Sequence, residues 1–300
     1  GILSLAGTGY EGFLQPLILS ETRAFFINIG IGLIVEWNPQ EMVIIEVYNV
    51  TPLVSIHPDA PAGPNTFKVI GDKILLPVAQ FPPPVCCNID VSDMGVVLGV
   101  FDMSNGTIEY KKDVRLMSGQ ADLFEDELGN LYSVPFVWNR MKQEYFDVTG
   151  APPAHTVLKI DDQGNFDSNF LLDLEESLDI EVFWPGVLFI SDNKVVLGYM
   201  DSEDTDWPES FDDRFFWFTS GNARRVAIDI TTGDITQFNA FDTFSSVEPL
   251  GREDGVNYFW GRNTQVDAEQ SFILRQDGFD SFIEVLSGEG FRIQTVQKLF

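Results

Sequence analysis

Trp138, Trp207, Trp217 and Trp260 stand close to Arg140, Lys142, Arg214 and Arg262 in a chain with only 18 basic residues. Aromatic faces next to guanidinium donors hold flat aromatic or anionic ligands. Trp138, Arg140, Trp207, Trp217, Trp260 and Arg262 are therefore the candidate ligand-binding set. Two of the arginines follow a tryptophan at the same offset, as Trp138-Asn-Arg140 and Trp260-Gly-Arg262. In the competing reading the tryptophans pack loops onto the body, and each arginine pairs with a carboxylate such as Glu144, Asp267 or Glu269.

Asp201, Glu203, Asp204 and Asp206 begin an acidic run that continues at Asp212 and Asp213. Oxygen-rich loops suit Ca²⁺, and the first four residues are the candidate ligands. The spacing lacks the glycine of an EF-hand, and a solvated acidic loop competes with the metal reading. Cys86 and Cys87 are the only cysteines. In an oxidising compartment adjacent cysteines form a vicinal disulfide; two reduced thiols are the equal alternative. His57 and His155 are the only histidines, and neither falls in a nucleophile or zinc motif. Gly-x-Ser-x-Gly, His-Glu-x-x-His and phosphate-loop patterns are absent, so the reading is non-enzymatic, with no cofactor beyond the Ca²⁺ candidate.

The elements that position these residues are repeated β-hairpins. Val226, Ile228 and Ile230 alternate with Ala227 and Asp229, turn at 231–234, and return through Ile235 and Gln237. Period-2 alternation around a short Gly-containing turn predicts a hairpin. The unit recurs at 32–45, 97–110, 155–167 and 271–282. Between these lie further strand pairs at 67–76, 123–132, 187–196 and 248–259. Pro77, Pro135, Gly198 and Gly261 fall at one offset in the second strand of each pair, which predicts a bulge or strand end. Strand-strand-insert-strand-strand is one blade of a β-propeller, an all-β architecture of four-stranded antiparallel sheets. A β-sandwich of short strands is the alternative. Five blades run from about residue 13. Leftover terminal strands at 1–6 and 291–300 make a sixth that closes the ring, and a seventh follows if residues precede Gly1. No stretch has amphipathic helix periodicity, and residues 1–300 read as a single domain.

The inserts at 81–93, 138–154, 201–218 and 260–269 share one topological position, so their loops gather on one face of the disc. Long loops collected on one face of a rigid scaffold mark a binding surface. The formal charge of −28 excludes a phosphate-reading stripe, and nucleic acid is not an expected partner. No segment is long and apolar enough to be a transmembrane helix. The chain opens on Gly1, as expected of one whose leader has been removed.

The opening residues 1–11 with Gly7-Thr-Gly-Tyr-Glu11, the Gly-turn hairpins such as 229–233, and the arginine-containing strand 291–300 resemble bacterial surface propeller lipoproteins. Some of that family are encoded beside outer-membrane receptors and capture ferric siderophores. The resemblance implies an extracytoplasmic protein at the periplasm or cell surface, an iron-chelate or similar small ligand, and an outer-membrane receptor as partner. Two other functions stay open: a metal-dependent hydrolase or lactonase propeller with its ion in the central channel, and a protein-interaction or surface-assembly module.

Overall fold

The computed structural model describes residues 15–53, 67–77, 96–113, 120–135, 155–179, 182–201, 224–263 and 270–289. They form five four-stranded antiparallel sheets, each a simple meander. The first contains β1 (Gln15–Ser20), β2 (Arg23–Asn28), β3 (Leu33–Asn38) and β4 (Val43–Asn49). The second contains β5 (Lys68–Ile70), β6 (Lys73–Pro77), β7 (Val96–Asp102) and β8 (Thr107–Lys112). The third contains β9 (Gln120–Glu125), β10 (Leu131–Pro135), β11 (Thr156–Ile160) and β12 (Leu172–Asp173), followed by the short helix α1 (Leu174–Leu178). The fourth contains β13 (Val182–Ser191), β14 (Lys194–Asp201), β15 (Arg224–Asp229) and β16 (Ile235–Gln237). The fifth contains β17 (Ser246–Glu253), β18 (Val256–Asn263), β19 (Gln270–Gln276) and β20 (Phe282–Glu289).

The antiparallel pairing within the blade is the expected one. Val195 pairs with Ile228 and Leu197 with Val226 across β14 and β15. Alternation on β15 resolves into two interfaces. Val226 and Ile228 join a core cluster shared with the third sheet, through Tyr132, Val134 and Val157. Ala227 points the other way, into a cluster with Val247, Phe259 and Leu274 of the fifth sheet. Both faces are apolar because a blade is covered on both sides. The first and second sheets share Phe25, Ile34, Ile74 and Phe101; the second and third share Leu75, Leu98, Leu123 and Ile160. Each interface thus owns one cluster, as a stack of repeats requires.

Neither end of the stack is bare. Ala24, Leu33 and Val35 are buried on the face of the first sheet turned away from the second. Trp260 and Ser271 are buried on the face of the fifth turned away from the fourth. Covered end faces agree with a propeller. The expected six blades are corrected to five among the described residues. The extra blade was counted from strands at 1–6 and 291–300, which lie outside them.

Three local expectations also change. Residues 165–167 do not form the fourth strand of the third sheet. Only Phe166 bridges Ile160, and the chain travels on to Leu172 before pairing resumes. A helix exists after all: α1 is a single turn capped by Asp173, whose carboxylate accepts from the Glu176 N–H at 3.0 Å, and it is too short for periodicity to reveal. Pro77 and Pro135 do end their strands, with a register shift at Val134/Pro135. β14 and β18, however, run on through Gly198 and Gly261. Gly261 is there for space, since a Cβ would lie 2.9 Å from Phe244 Cδ1. Among the described residues no helix is long and apolar enough to cross a membrane.

Hairpin turns are tied down by aspartate. Asp126 and Asp161 open the same Asp-x-x-Gly-Asn sequence. In each the carboxylate accepts from the N–H two and four residues on, and from the asparagine amide. Asp229 accepts from the N–H groups of Thr232 and Thr231 at 2.9 and 2.8 Å, which hold its carboxyl below the ordinary range. A folded-state pKa below the unfolded one gives stability that is present above the unfolded value, about 3.9, and is lost as pH falls through the folded value. Asp229→Asn is therefore expected to melt below wild type at pH 7. The gap should narrow steadily as pH falls below about 4. Thermal melts of both proteins from pH 7 to 3 measure it, and a gap independent of pH would show that the carboxylate charge is irrelevant.

Candidate functional site

The tight turns lie together on one side of the stack. Asp192 in the β13–β14 turn donates its N–H to Glu127 in the β9–β10 turn at 2.8 Å. Glu125 at the end of β9 pairs with Lys68 of the second sheet, and its carbonyl accepts from Arg252 of the fifth. Lys73 also donates to Gln163 in the turn after β11. First strands β9, β13 and β17 neighbour one another, so these bonds cross the inner part of the tight-turn side. The four long inserts join second to third strands, and their anchoring strand ends lie on the opposite side.

That insert side is where the interior becomes polar. Asp122 stands near the start of β9, His155 and Thr156 at the start of β11, and Arg225 at the start of β15. Ser246 begins β17, Ser271 lies near the start of β19, and all six are buried. A buried strand end that is merely structural would be apolar, because each polar group there must recover a lost hydrogen bond with water. Some have visible structural tasks. His155 Nδ1 meets Glu175 Oε1 at 2.5 Å, tying β11 to α1. Arg225 donates to the carbonyls of Phe241 and Phe244 at 3.4 and 3.3 Å, bracing the link from β16 to β17. Burial pushes its pKa down, with Asp242 working against that shift.

The fifth sheet carries a polar row on its insert side. Register places Ser246, Arg262 and Ser271 side by side on three adjacent strands. Trp260 shares their face, and the Arg262 guanidinium lies 5.5 Å from the centroid of its ring. The hydroxyls of Ser246 and Ser271 are buried without a hydrogen-bond partner. Two hydroxyls, a guanidinium and an indole supply donors and a flat surface, which suits an acceptor-rich, negatively charged group.

Sequence reasoning had placed Trp260 and Arg262 in an insert. They belong instead to β18, and Trp260 is only 2% exposed. The strand continues past Gly261, so Trp260 is an interior wall and not an exposed loop platform. Asp201 ends β14, paired with Val182. Trp138, Arg140, Trp207, Trp217, Glu203, Asp204, Asp206, Cys86 and Cys87 lie outside the described residues. Among the described residues no group of three or more His, Cys, Asp or Glu could hold a metal ion. Ser246 and Ser271 were missed. The available signal was a serine at a core-facing strand position, but its meaning depends on registers that place it beside Arg262.

No family model and no curated protein matches the chain. Among solved structures it is similar to hydrazine synthase of Kuenenia stuttgartiensis, at 11% identity and a TM-score of 0.47, over 85% of this chain and 62% of that one. It is similar to a streptogramin B lyase at 14% identity and a TM-score of 0.41, over 94% and 68%. A quinonprotein alcohol dehydrogenase-like protein from Bacteroides thetaiotaomicron matches at 11% identity and a TM-score of 0.41, over 92% and 56%. The chain thus spans between about half and two thirds of the length of these proteins.

Proposed function

We propose that this chain is a non-enzymatic, extracytoplasmic propeller that binds an anionic ligand with a flat or aromatic part through its insert side. The observation that carries the reading is the row Ser246–Arg262–Ser271 beside Trp260, with both hydroxyls buried and unpartnered. A buried hydroxyl without a partner costs about 1–3 kcal/mol, and a carboxylate, sulfonate or metal-chelate oxygen recovers that cost. The net charge of −28 repels anions at long range. Recognition of an anion therefore needs a local cation, and Arg262 supplies one. Ferric siderophores, implied by the resemblance to surface propeller lipoproteins, belong to this ligand class. An outer-membrane receptor is then the natural partner, and the sixth blade is proposed to close the ring.

The test is a tryptophan-fluorescence titration against ferric siderophores and acidic glycans, with wild type, Arg140→Ala and Arg262→Ala. A ligand held by Arg262 should bind Arg262→Ala more weakly by about 1–3 kcal/mol, the range for a charge-assisted hydrogen bond. Arg140→Ala asks whether the arginine of the matching Trp138-Asn-Arg140 sequence shares the task. No quenching by any candidate, or quenching indifferent to Arg262→Ala, removes this site. A drop in melting temperature at unchanged affinity would assign Arg262 to holding the blade together.

A further inference from the structure

A concavity lies on the opposite, tight-turn side, between the second and third sheets. It has a volume of about 600 Å³. Ile70 and Phe166, each half-buried, form its accessible apolar floor. Asp161, Asp162 and Asp167 stand on its rim with Lys159, while Lys73 reaches Gln163 beside them and the Lys111 ammonium acts on Asp161. The walls are built in advance. Asp161 is fixed in its turn by the N–H groups of Gln163 and Asn165, both at 2.8 Å. The turn is seated on the second sheet through Gly164, at φ +76°, where a Cβ would lie 2.7 Å from Val100 Cγ2. Gln163 also accepts from Lys73 across the same junction. The opposite wall contains Gly129 and Asn130 of the turn that Asp126 caps in the same way.

We propose that this groove docks a basic segment of a partner protein. One apolar side chain sits between Ile70 and Phe166, and lysine or arginine on either side of it faces Asp161, Asp162 and Asp167. The charge argues for this occupant. A second copy of the chain would bring another −28 and is repelled, whereas a cationic segment is drawn in from a distance. The floor argues for a peptide over a bare cation, because a small polyamine leaves Ile70 and Phe166 in water. The volume suits a few side chains and not a folded element.

The experiment is fluorescence anisotropy with a short fluorescein-labelled peptide carrying one leucine between an arginine and a lysine. A control peptide has serine in place of that leucine. The leucine peptide should bind about tenfold more tightly than the control, the worth of one well-buried apolar side chain. Asp162→Asn, an exposed change that leaves the turn intact, should weaken both peptides by about two- to fivefold, and more salt should erase that difference. Phe166→Ala should abolish the preference for leucine. Circular dichroism checks that this variant is folded, and Ile70→Ser gives the same readout from the other wall. Equal binding of the two peptides would mean counter-ion attraction only, and would overturn the proposal. So would an absence of binding, or indifference to Asp162→Asn and to both floor variants.

Discussion

Phe189→Ala is expected to lower the free energy of unfolding by about 3–5 kcal/mol, the usual cost of emptying a buried phenylalanine site. Phe189 is 0% exposed. Its ring stands 5.6 Å from Phe259, 5.7 Å from Phe238 and 5.8 Å from Phe279, all edge-on. Such pairs add to what burial alone contributes. The surrounding cluster forms the junction between the fourth and fifth sheets. Because each apolar cluster joins only neighbouring blades, this junction is one link in a series. The loss should therefore show as a lower denaturation midpoint by circular dichroism, together with earlier exposure of β15–β19 amides in hydrogen exchange. A midpoint unchanged within error, or exchange altered equally in all five sheets, would contradict a junction that bears load locally. Phe189→Leu, which keeps most of the volume, should recover most of the loss.

How much of this was legible in the sequence depends on the range over which each feature is determined. The hairpin of β15 and β16 was legible because alternation and the Thr-Thr-Gly turn are local properties. The inserts were correctly placed between second and third strands for the same reason. The end of β18 was not legible. Gly261 looks like a strand breaker in isolation, yet it is required by Phe244, which approaches from the loop before β17. That contact brings together residues 17 positions apart and leaves no local trace. The detour from Phe166 to Leu172 was hidden similarly, because only a bridge remains where a strand was expected. Ser246 and Ser271 gained meaning only when two registers set them beside Arg262. The groove on the tight-turn side needed even more. Ile70 and Phe166 come from different blades, and their proximity is a property of the stack.

Arg225 connects stability to the site, and Arg225→Ala is expected to damage both. Its guanidinium is buried, and it donates to the carbonyls of Phe241 and Phe244. Removing it leaves the Phe244 carbonyl without this donor, while the Phe241 carbonyl still accepts from the Phe244 N–H at 3.0 Å, so a loss of about 1–3 kcal/mol is expected. The carbonyls belong to the link that delivers Ser246 to the start of β17, where the Ser245 N–H also donates to the Arg262 carbonyl at 2.7 Å. Loosening that link should misplace the Ser246 hydroxyl relative to Arg262, and so weaken the anionic ligand as well as the fold. Arg225→Met separates the two effects. It restores much of the packing volume without restoring the donors, so the melting temperature should recover in part while affinity stays low. A buried charge replaced by a well-packed apolar side chain is often tolerated, which makes this recovery a real expectation. The outcome that breaks the connection is Arg225→Ala with full ligand affinity at a temperature where it remains folded. In that case the link from β16 to β17 would hold the blade, and Ser246 would take its position from the β17–β18 pairing alone.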